Sequence, residues 1–308
     1  MIAPMVSLRG RDFIDVADLE AADLRRLLDR AHDIKAGRWR ERPLAGRHMA
    51  MLFQRPSHRT RVSFEVAIAR LGGTTTTLTS QDVQLGFRES IADAARVLDR
   101  YVDGIVARLR SHADLLVLAQ SSEHPVVNAL TDHSHPCQVL ADVMTLEEIG
   151  DLARHRVVFI GDGNNIANSL IEAARVAGFE LTVITPPGYD PDPAVVERAR
   201  TIGSGKTHVT LTNQVHVDHA TTAVYTDVWA SMGQEDERAA RQKVFSGYQV
   251  NARVMDAAPQ AVFMHCLPAH RGEEVTDEVL DGPRSVVFQQ AENRLYAQMA
   301  LLAELFGE

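Results

Sequence analysis

The run Ser57-His58-Arg59-Thr60-Arg61 gathers two guanidiniums and two small hydroxyls where a helix is due to begin. The apolar segment His48–Phe53 predicts a strand, Pro56 breaks it, and residues 62–71 predict a helix closed by Gly72-Gly73. Free N–H groups at a helix start, together with the positive end of its dipole, favour an anion. Arg59 and Arg61 add charge-assisted, partly bidentate hydrogen bonds of the kind that suit phosphate. A purely structural reading stands beside this one: Ser57 caps the helix, Arg61 pairs with Glu65 one turn on, and Arg59 lies in water.

Other clusters invite other chemistry. Gly161-Asp162-Gly163-Asn164-Asn165 follows a predicted strand as a dinucleotide turn would, but Ile166 stands where the third glycine belongs. The next strand runs into Thr185-Pro186 without the acidic residue that would hold a ribose hydroxyl, so an NAD enzyme is only an alternative. Asn165 in that turn suits a small polar ligand or a helix cap. His133, His135, Cys137, His265 and Cys266 are zinc-ligand types, yet their spacing fits no structural finger. As strand neighbours, His265 and Cys266 are expected to point apart, and no metal is expected. Cys266 also stands just before Leu267-Pro268, and the residue preceding a proline is expected to be extended, presenting a thiol and carbonyls to a pocket. A buried Cys as plain packing is the structural alternative.

These side chains need a scaffold, and the chain alternates strands with helices. Helical spacing covers residues 18–34, 89–101, 113–121, 138–149, 166–177 and 291–306. Strands are expected at Thr74–Thr79, 104–107, 126–128, Arg156–Ile160, 181–185, Ala223–Thr226 and 261–264. Residues 81–88 read as a polar loop. That alternation predicts an α/β fold of two domains, each a parallel sheet with helices on both faces, joined by interdomain helices. Ligands of such sheets bind beyond the carboxyl ends of strands. Arg108, residues 135–138, residues 227–234 and residues 265–271 all occupy such ends.

Composition narrows the class. A chain of 308 residues has room for two domains, and 45% hydrophobic with 24% charged residues is ordinary for a folded soluble protein. A formal charge of −9 argues against a nucleic-acid surface. No apolar run reaches the roughly 20 residues needed to cross a bilayer, and the first ten residues lack a basic-then-apolar signal. With only Cys137 and Cys266, a reducing, cytoplasmic setting is expected.

Taken together, the motifs resemble those of the aspartate/ornithine carbamoyltransferase family. Phe53-Gln54-Arg55-Pro56-Ser57-His58-Arg59-Thr60-Arg61 is similar to its carbamoyl-phosphate signature, and His135-Pro136-Cys137-Gln138 to its second phosphate-side motif. Asp227-Val228-Trp229-Ala230-Ser231-Met232-Gly233 and His265-Cys266-Leu267-Pro268 resemble marks of the ornithine-using branch. With Leu8-Arg9-Gly10-Arg11-Asp12 and Glu292-Asn293-Arg294, the likeness runs almost end to end. It implies a carbamoyl-phosphate domain at 1–134, with a C-terminal helix at 290–308 packing back on it, and an ornithine domain at 135–289. The implied reaction moves the carbamoyl group of carbamoyl phosphate to the δ-amine of L-ornithine, giving citrulline and phosphate in arginine metabolism. No cofactor is implied, and the implied assembly is a homotrimer or a multiple of trimers, with no nucleic-acid or membrane partner.

The resemblance also implies residue roles. Ser57, His58, Arg59 and Thr60 would hold the phosphate, and Gln84 would reach the phosphate of an adjacent subunit. Arg108, His135, Thr60 and Arg294 would face the carbamoyl oxygen, where donors aimed at developing charge count most. Gln138 and the Leu267 carbonyl would orient the carbamoyl NH₂. Asn165, Asp227, Ser231 and Met232 would grip the α-amino and α-carboxylate groups of ornithine, and Cys266 with Asp227 would orient its δ-amine. Alternatives are a sister enzyme using N-acetylornithine, putrescine or aspartate, and a non-catalytic paralogue. An aspartate enzyme would be expected to lack His265-Cys266 and to carry a lysine in its polar loop, and residues 80–89 hold none.

One departure from the family pattern generates a test. His58 stands where a threonine is usual, and imidazole is bulkier and titrates near neutrality. His58→Thr is expected to lower the KM for carbamoyl phosphate, most clearly above pH 7. Equal KM values in the two proteins from pH 6 to 9 would dismiss the effect.

Overall fold

A computed structural model describes residues 7–82, 89–201, 209–230 and 235–307. Two compact units divide the chain: one runs to Leu140 and takes it up again from Arg294, and the other is Ala141–Asn293.

In the first unit, α1 (Ala21–Lys35) follows a short 3₁₀ turn at Val16–Asp18, and the helical spacing from residue 18 starts at the last residue of that turn. Leu24, Leu27, Leu28, Ala31 and Ile34 recur every three or four residues and are all buried, which is why this segment is an amphipathic helix. Then come β1 (His48–Phe53), α2 (His58–Arg70), β2 (Thr74–Thr79), α3 (Ile91–Leu98), β3 (Gly104–Arg108), α4 (His112–Ser121), β4 (Val126–Leu130) and α5 (Pro136–Ile149). The strands form one parallel sheet in the order β2-β1-β3-β4. Inner strands β1 and β3 are buried almost throughout, as near-continuous apolar runs in parallel sheets are. Edge strand β2 is a run of threonines, half in solvent.

Helix α2 starts four residues earlier than the apolar spacing suggests. Ser57 has extended backbone and its Oγ accepts the Thr60 N–H at 3.4 Å, so the cap, not the apolar period, sets the start. His58, Arg59 and Thr60 thus form the first turn.

The second unit continues with β5 (Arg156–Ile160), α6 (Asn165–Ala177), β6 (Glu180–Ile184), α7 (Pro193–Thr201), β7 (Val209–Thr212), β8 (Ala223–Thr226), α8 (Arg238–Phe245), α9 (Ala252–Ala257), β9 (Val262–His265), α10 (Asp277–Leu280) and α11 (Val287–Phe306). Its five parallel strands lie in the order β7-β6-β5-β8-β9. Helices α5 and α11 each carry the chain from one unit into the other.

Both sheets reverse their strand order once, between β1 and β3 in the first unit and between β5 and β8 in the second. Right-handed crossovers on either side of a reversal send helices to opposite faces of a sheet. They also leave a crevice at the carboxyl edge, where open α/β sheets bind ligands. Among the described residues, no helix is long and apolar enough to cross a membrane.

A buried polar network fixes the carboxyl edge of the second sheet. Tyr225 Oη donates to Asp142 Oδ2 at 3.0 Å, and Gln290 Nε2 donates to Asp142 Oδ1 at 2.7 Å. The same Gln290 accepts the His265 N–H on Oε1 at 3.0 Å, tying α5 and α11 to the end of β9. Tyr225→Phe removes one donor to this carboxylate and is expected to cost about 1–3 kcal/mol. Urea unfolding monitored by circular dichroism would show it as a lower midpoint with an unchanged slope.

Candidate active site

The crevice of the first unit is basic. Thr60, fully buried in the first turn of α2, accepts Arg294 Nη2 at 2.9 Å and Arg108 Nη1 at 3.4 Å on its hydroxyl oxygen. With two N–H groups directed at that oxygen, its own O–H is left to donate elsewhere. Arg108 comes from the end of β3, Arg294 from α11, and both are buried. His135, buried just ahead of α5, feels both guanidiniums: burial first, then the charges of Arg294 and Arg108, hold its imidazole well below the ordinary histidine range. It is therefore a neutral hydrogen-bonding group at physiological pH.

The loop that delivers His135 is pinned. The Thr131 N–H donates to the Ser134 carbonyl at 2.9 Å, and Asn128 Nδ2 donates to Ser134 Oγ at 3.0 Å. Gln138 follows in the first turn of α5 and is buried. Cys137 beside it is structural: its Sγ donates to the Asn128 carbonyl at 3.3 Å, and burial pushes the thiol up to about 12. Arg59 is half-buried, with Nη1 3.4 Å from Nε2 of His58. Arg61 follows the structural reading, donating from Nε to Glu65 Oε1 at 2.8 Å.

The crevice of the second unit is acidic. Asp227, the first residue after β8, accepts Asn164 Nδ2 on Oδ2 at 2.8 Å and the Cys266 thiol on Oδ1 at 3.0 Å. Asn164 also caps α6, accepting the N–H groups of Ile166 and Ala167 at 3.0 and 3.2 Å. Asn165, singled out in the sequence, is the first residue of α6 and is buried, whereas capping and the contact with Asp227 fall to Asn164. An apolar period that begins at Ile166 points to Asn165 as the cap, but the helix takes in one residue more and the cap falls to Asn164.

Two expectations about the Cys266 turn fail. His265 and Cys266 do not point apart: with Asp227, their ligand-type atoms all lie within 4.8 Å of one another. Strand β9 ends at His265, so the alternation of a strand no longer governs Cys266. Nor is Leu267 extended ahead of its proline, because its φ is +57°. A left-handed conformation costs a bulky residue about 1–2 kcal/mol. Here it turns the Leu267 N–H back onto Nδ1 of His265 at 2.8 Å. With Nε2 3.3 Å from Glu274 Oε1, both ring nitrogens of His265 are engaged and neither is left for a metal ion.

Arg241, from a helix that the apolar spacing does not reveal, braces the segment after β8. Its Nη1 donates to Asp162 Oδ2 at 2.8 Å and to the Trp229 carbonyl at 2.9 Å, and its Nε donates to Glu237 Oε2 at 2.9 Å. Burial pushes Asp162 up to about 6 against the attraction of Arg241. Gly163 settles the dinucleotide question. A Cβ there would meet the backbone of Asp190 and Pro191 at 2.3 Å, so the chain itself fills the approach that a pyrophosphate would need. Gln84, Ser231 and Met232 lie outside the described residues.

Two buried guanidiniums on one hydroxyl at the first strand reversal and a carboxylate–thiol pair beside the second mark a two-unit α/β fold. Residues 11–148 match "Aspartate/ornithine carbamoyltransferase, carbamoyl-P binding domain", and residues 154–305 match the "Asp/Orn binding domain" of the same family. The chain belongs to the aspartate/ornithine carbamoyltransferase family. It is 51% identical over 303 residues to an ornithine carbamoyltransferase of Mesorhizobium japonicum, covering 96% of this chain and 99% of that one. An ornithine carbamoyltransferase of Pyrococcus furiosus named as anabolic is 49% identical over 312 residues, with 98% of each chain covered. The solved structure of ornithine carbamoyltransferase from Pyrococcus furiosus superposes with a TM-score of 0.91 at 48% identity, covering 98% of this chain and 99% of that one.

The neutral His135 has a consequence for stability. Its folded pKa lies below the ordinary 6.5, so on acidification the unfolded chain takes up this proton first. The stability is intact above that value and is lost as pH falls below it. His135→Asn is therefore expected to shrink the drop in urea midpoint between pH 7.5 and pH 5.5 relative to the parent protein.

Proposed function

We propose that this protein is an enzyme that transfers the carbamoyl group of carbamoyl phosphate to the δ-amine of L-ornithine, forming citrulline and phosphate in arginine biosynthesis. The observation that carries the reading is the Asp227 carboxylate held between Asn164 and the Cys266 thiol at the strand reversal of the second sheet. An amino-acid acceptor brings ammonium groups, and a fixed, buried carboxylate is their natural counter-charge.

Carbamoyl phosphate is assigned to the basic crevice, with its phosphate on the first-turn amides of α2, Ser57, His58 and Arg59. Thr60, Arg108, His135 and Arg294 face the carbamoyl oxygen. As the δ-nitrogen adds to the carbamoyl carbon, charge grows on that oxygen and these donors stabilise it, by a few kcal/mol each in comparable sites. The C–O bond to phosphate then breaks, phosphate leaves with the electron pair, and the extra proton on the δ-nitrogen passes to the departing phosphate, leaving the neutral ureido N–H of citrulline. Gln138 and the Leu267 carbonyl hold the carbamoyl NH₂ and so fix its plane. Asn165, Ser231 and Met232 grip the α-amino and α-carboxylate ends of ornithine, and Cys266 with Asp227 directs the δ-nitrogen after it has shed its proton. Holding both reactants at attack distance removes a large entropic part of the barrier.

The chemistry runs on side chains and backbone, without cofactor or metal. A cytoplasmic homotrimer, or a multiple of one, completes the reading, with Gln84 reaching a neighbouring subunit's phosphate.

Incubation with carbamoyl phosphate and, in parallel, ornithine, N-acetylornithine, putrescine or aspartate tests the assignment, and citrulline is the expected product. Carbamoylation of another amine while ornithine stays untouched would refute it. Asp227→Asn is expected to raise the ornithine KM by about tenfold or more and to leave the carbamoyl phosphate KM within about twofold, since one ligand loses its counter-charge.

A further inference from the structure

Arg108 and His135 are assigned to the same carbamoyl oxygen, yet the chain delivers them on two separate segments. Arg108 ends β3, and His112 opens α4 just beyond it. The turn after β4 carries Thr131, Asp132, His133 and Ser134 and then presents His135. A polar clamp within the first unit ties the two segments together. The Asp132 N–H donates to the Arg110 carbonyl at 3.0 Å, and the His112 N–H donates to Asp132 Oδ1 at 2.9 Å. His112 Nδ1 lies 3.0 Å from Thr131 Oγ1, and its ring packs beside that of His133 with centroids 4.8 Å apart.

The Thr131 hydroxyl settles where the protons lie. Thr131 is fully buried, and its Oγ1 accepts the backbone N–H groups of His133 at 3.4 Å and of Ser134 at 3.3 Å. Those two bonds take its lone pairs, so its O–H is left to donate, and Nδ1 of His112 is the acceptor it faces. The imidazole is then neutral, with its hydrogen on Nε2. A proton added at Nδ1 sets donor against donor, and the turn gives up one of its bonds to restore an acceptor. His112 faces His133 and Asp132 from the turn and Asp18 from the 3₁₀ turn ahead of α1. Burial first, then the charge of His133, holds its imidazole below the ordinary histidine value against the pull of both carboxylates. The acceptor form therefore prevails at neutral pH and is lost as pH falls.

We propose that His112 is a positioning residue: as a neutral acceptor it holds the Thr131 hydroxyl, and through it the turn that sets His135 against Arg108, while a second proton on the ring loosens that turn. The inference rests on the assignment of Arg108 and His135 to the carbamoyl oxygen under the proposed function. It gives His133 a part as well, since a ring packed beside His112 opposes a second charge and keeps the acceptor form populated.

Two substitutions separate the acceptor from its titration. His112→Asn places an amide oxygen near the position of Nδ1, where it accepts the Thr131 hydroxyl at any pH. His112→Ala removes the acceptor altogether. Turnover is read at pH 8 and pH 6 as phosphate release with whichever amine the parent enzyme carbamoylates, and carbamoyl phosphate affinity by calorimetry. At pH 8, His112→Ala is expected to lose about tenfold or more in kcat, the scale of a misplaced catalytic group, with the KM for the amine within about threefold. His112→Asn is expected to keep kcat within about threefold at pH 8 and to fall less than the parent between pH 8 and pH 6. A His112→Ala enzyme that matches the parent at pH 8, or a His112→Asn enzyme that falls as steeply on acidification, would overturn the proposal. Should His112→Ala not fold, as checked by thermal unfolding, His112→Asn decides by itself on its rate at pH 8 and its pH profile. Carbamoylation of another amine in place of ornithine defeats the ornithine reading and leaves this comparison intact. With no amine carbamoylated, the same order of variants is expected in carbamoyl phosphate affinity, and equal affinities would be contrary.

Discussion

A parallel sheet that reverses its strand order must open at its carboxyl edge, because the connections on either side of the reversal leave for opposite faces. That constraint organises both units. Ser57–Thr60 follow β1 and Arg108 ends β3, the two strands flanking the first reversal. Asn164 and Asp227 follow β5 and β8, which flank the second, and Cys266 follows the next strand over. Residues as distant in sequence as Thr60 and Arg294 meet at that edge, where polar side chains converge and are buried against one another.

The two crevices are electrostatic opposites. One gathers guanidiniums around a hydroxyl and keeps its histidine neutral by burial and by their field. The other holds a carboxylate between an amide and a thiol. An anionic donor and a cationic acceptor sort themselves between such sites by charge before shape is consulted. The same fold elsewhere accommodates nucleotides, but here the backbone at Tyr189–Pro191 is packed against Gly163 where phosphates would approach.

The sequence made much of this legible. Strands β1 and β2, the paired-sheet architecture and the strand-end placement of Arg108, His135, Asp227 and Cys266 follow from apolar runs and the polar residues that end them. The start of α2 was displaced because a serine cap, a single hydrogen bond, overrode the apolar period. Asn164 and Asn165 are chemically identical neighbours, and which of them caps is decided by backbone conformation that composition does not carry. Arg241 lies in a helix of only eight residues that is mostly polar, too short and too hydrophilic to stand out as an apolar stripe. His265 and Cys266 were expected to diverge from strand alternation alone, and the strand ended one residue sooner than that argument needs.

Thr60 carries one more implication. A hydroxyl that receives two guanidinium N–H groups cannot spin freely, and its β-branched methyl narrows its rotamers further. The bearing of its proton is settled by the protein before any guest arrives. In the proposed reaction, water would have to reorient around a growing negative charge, whereas a dipole held in this way is aligned beforehand.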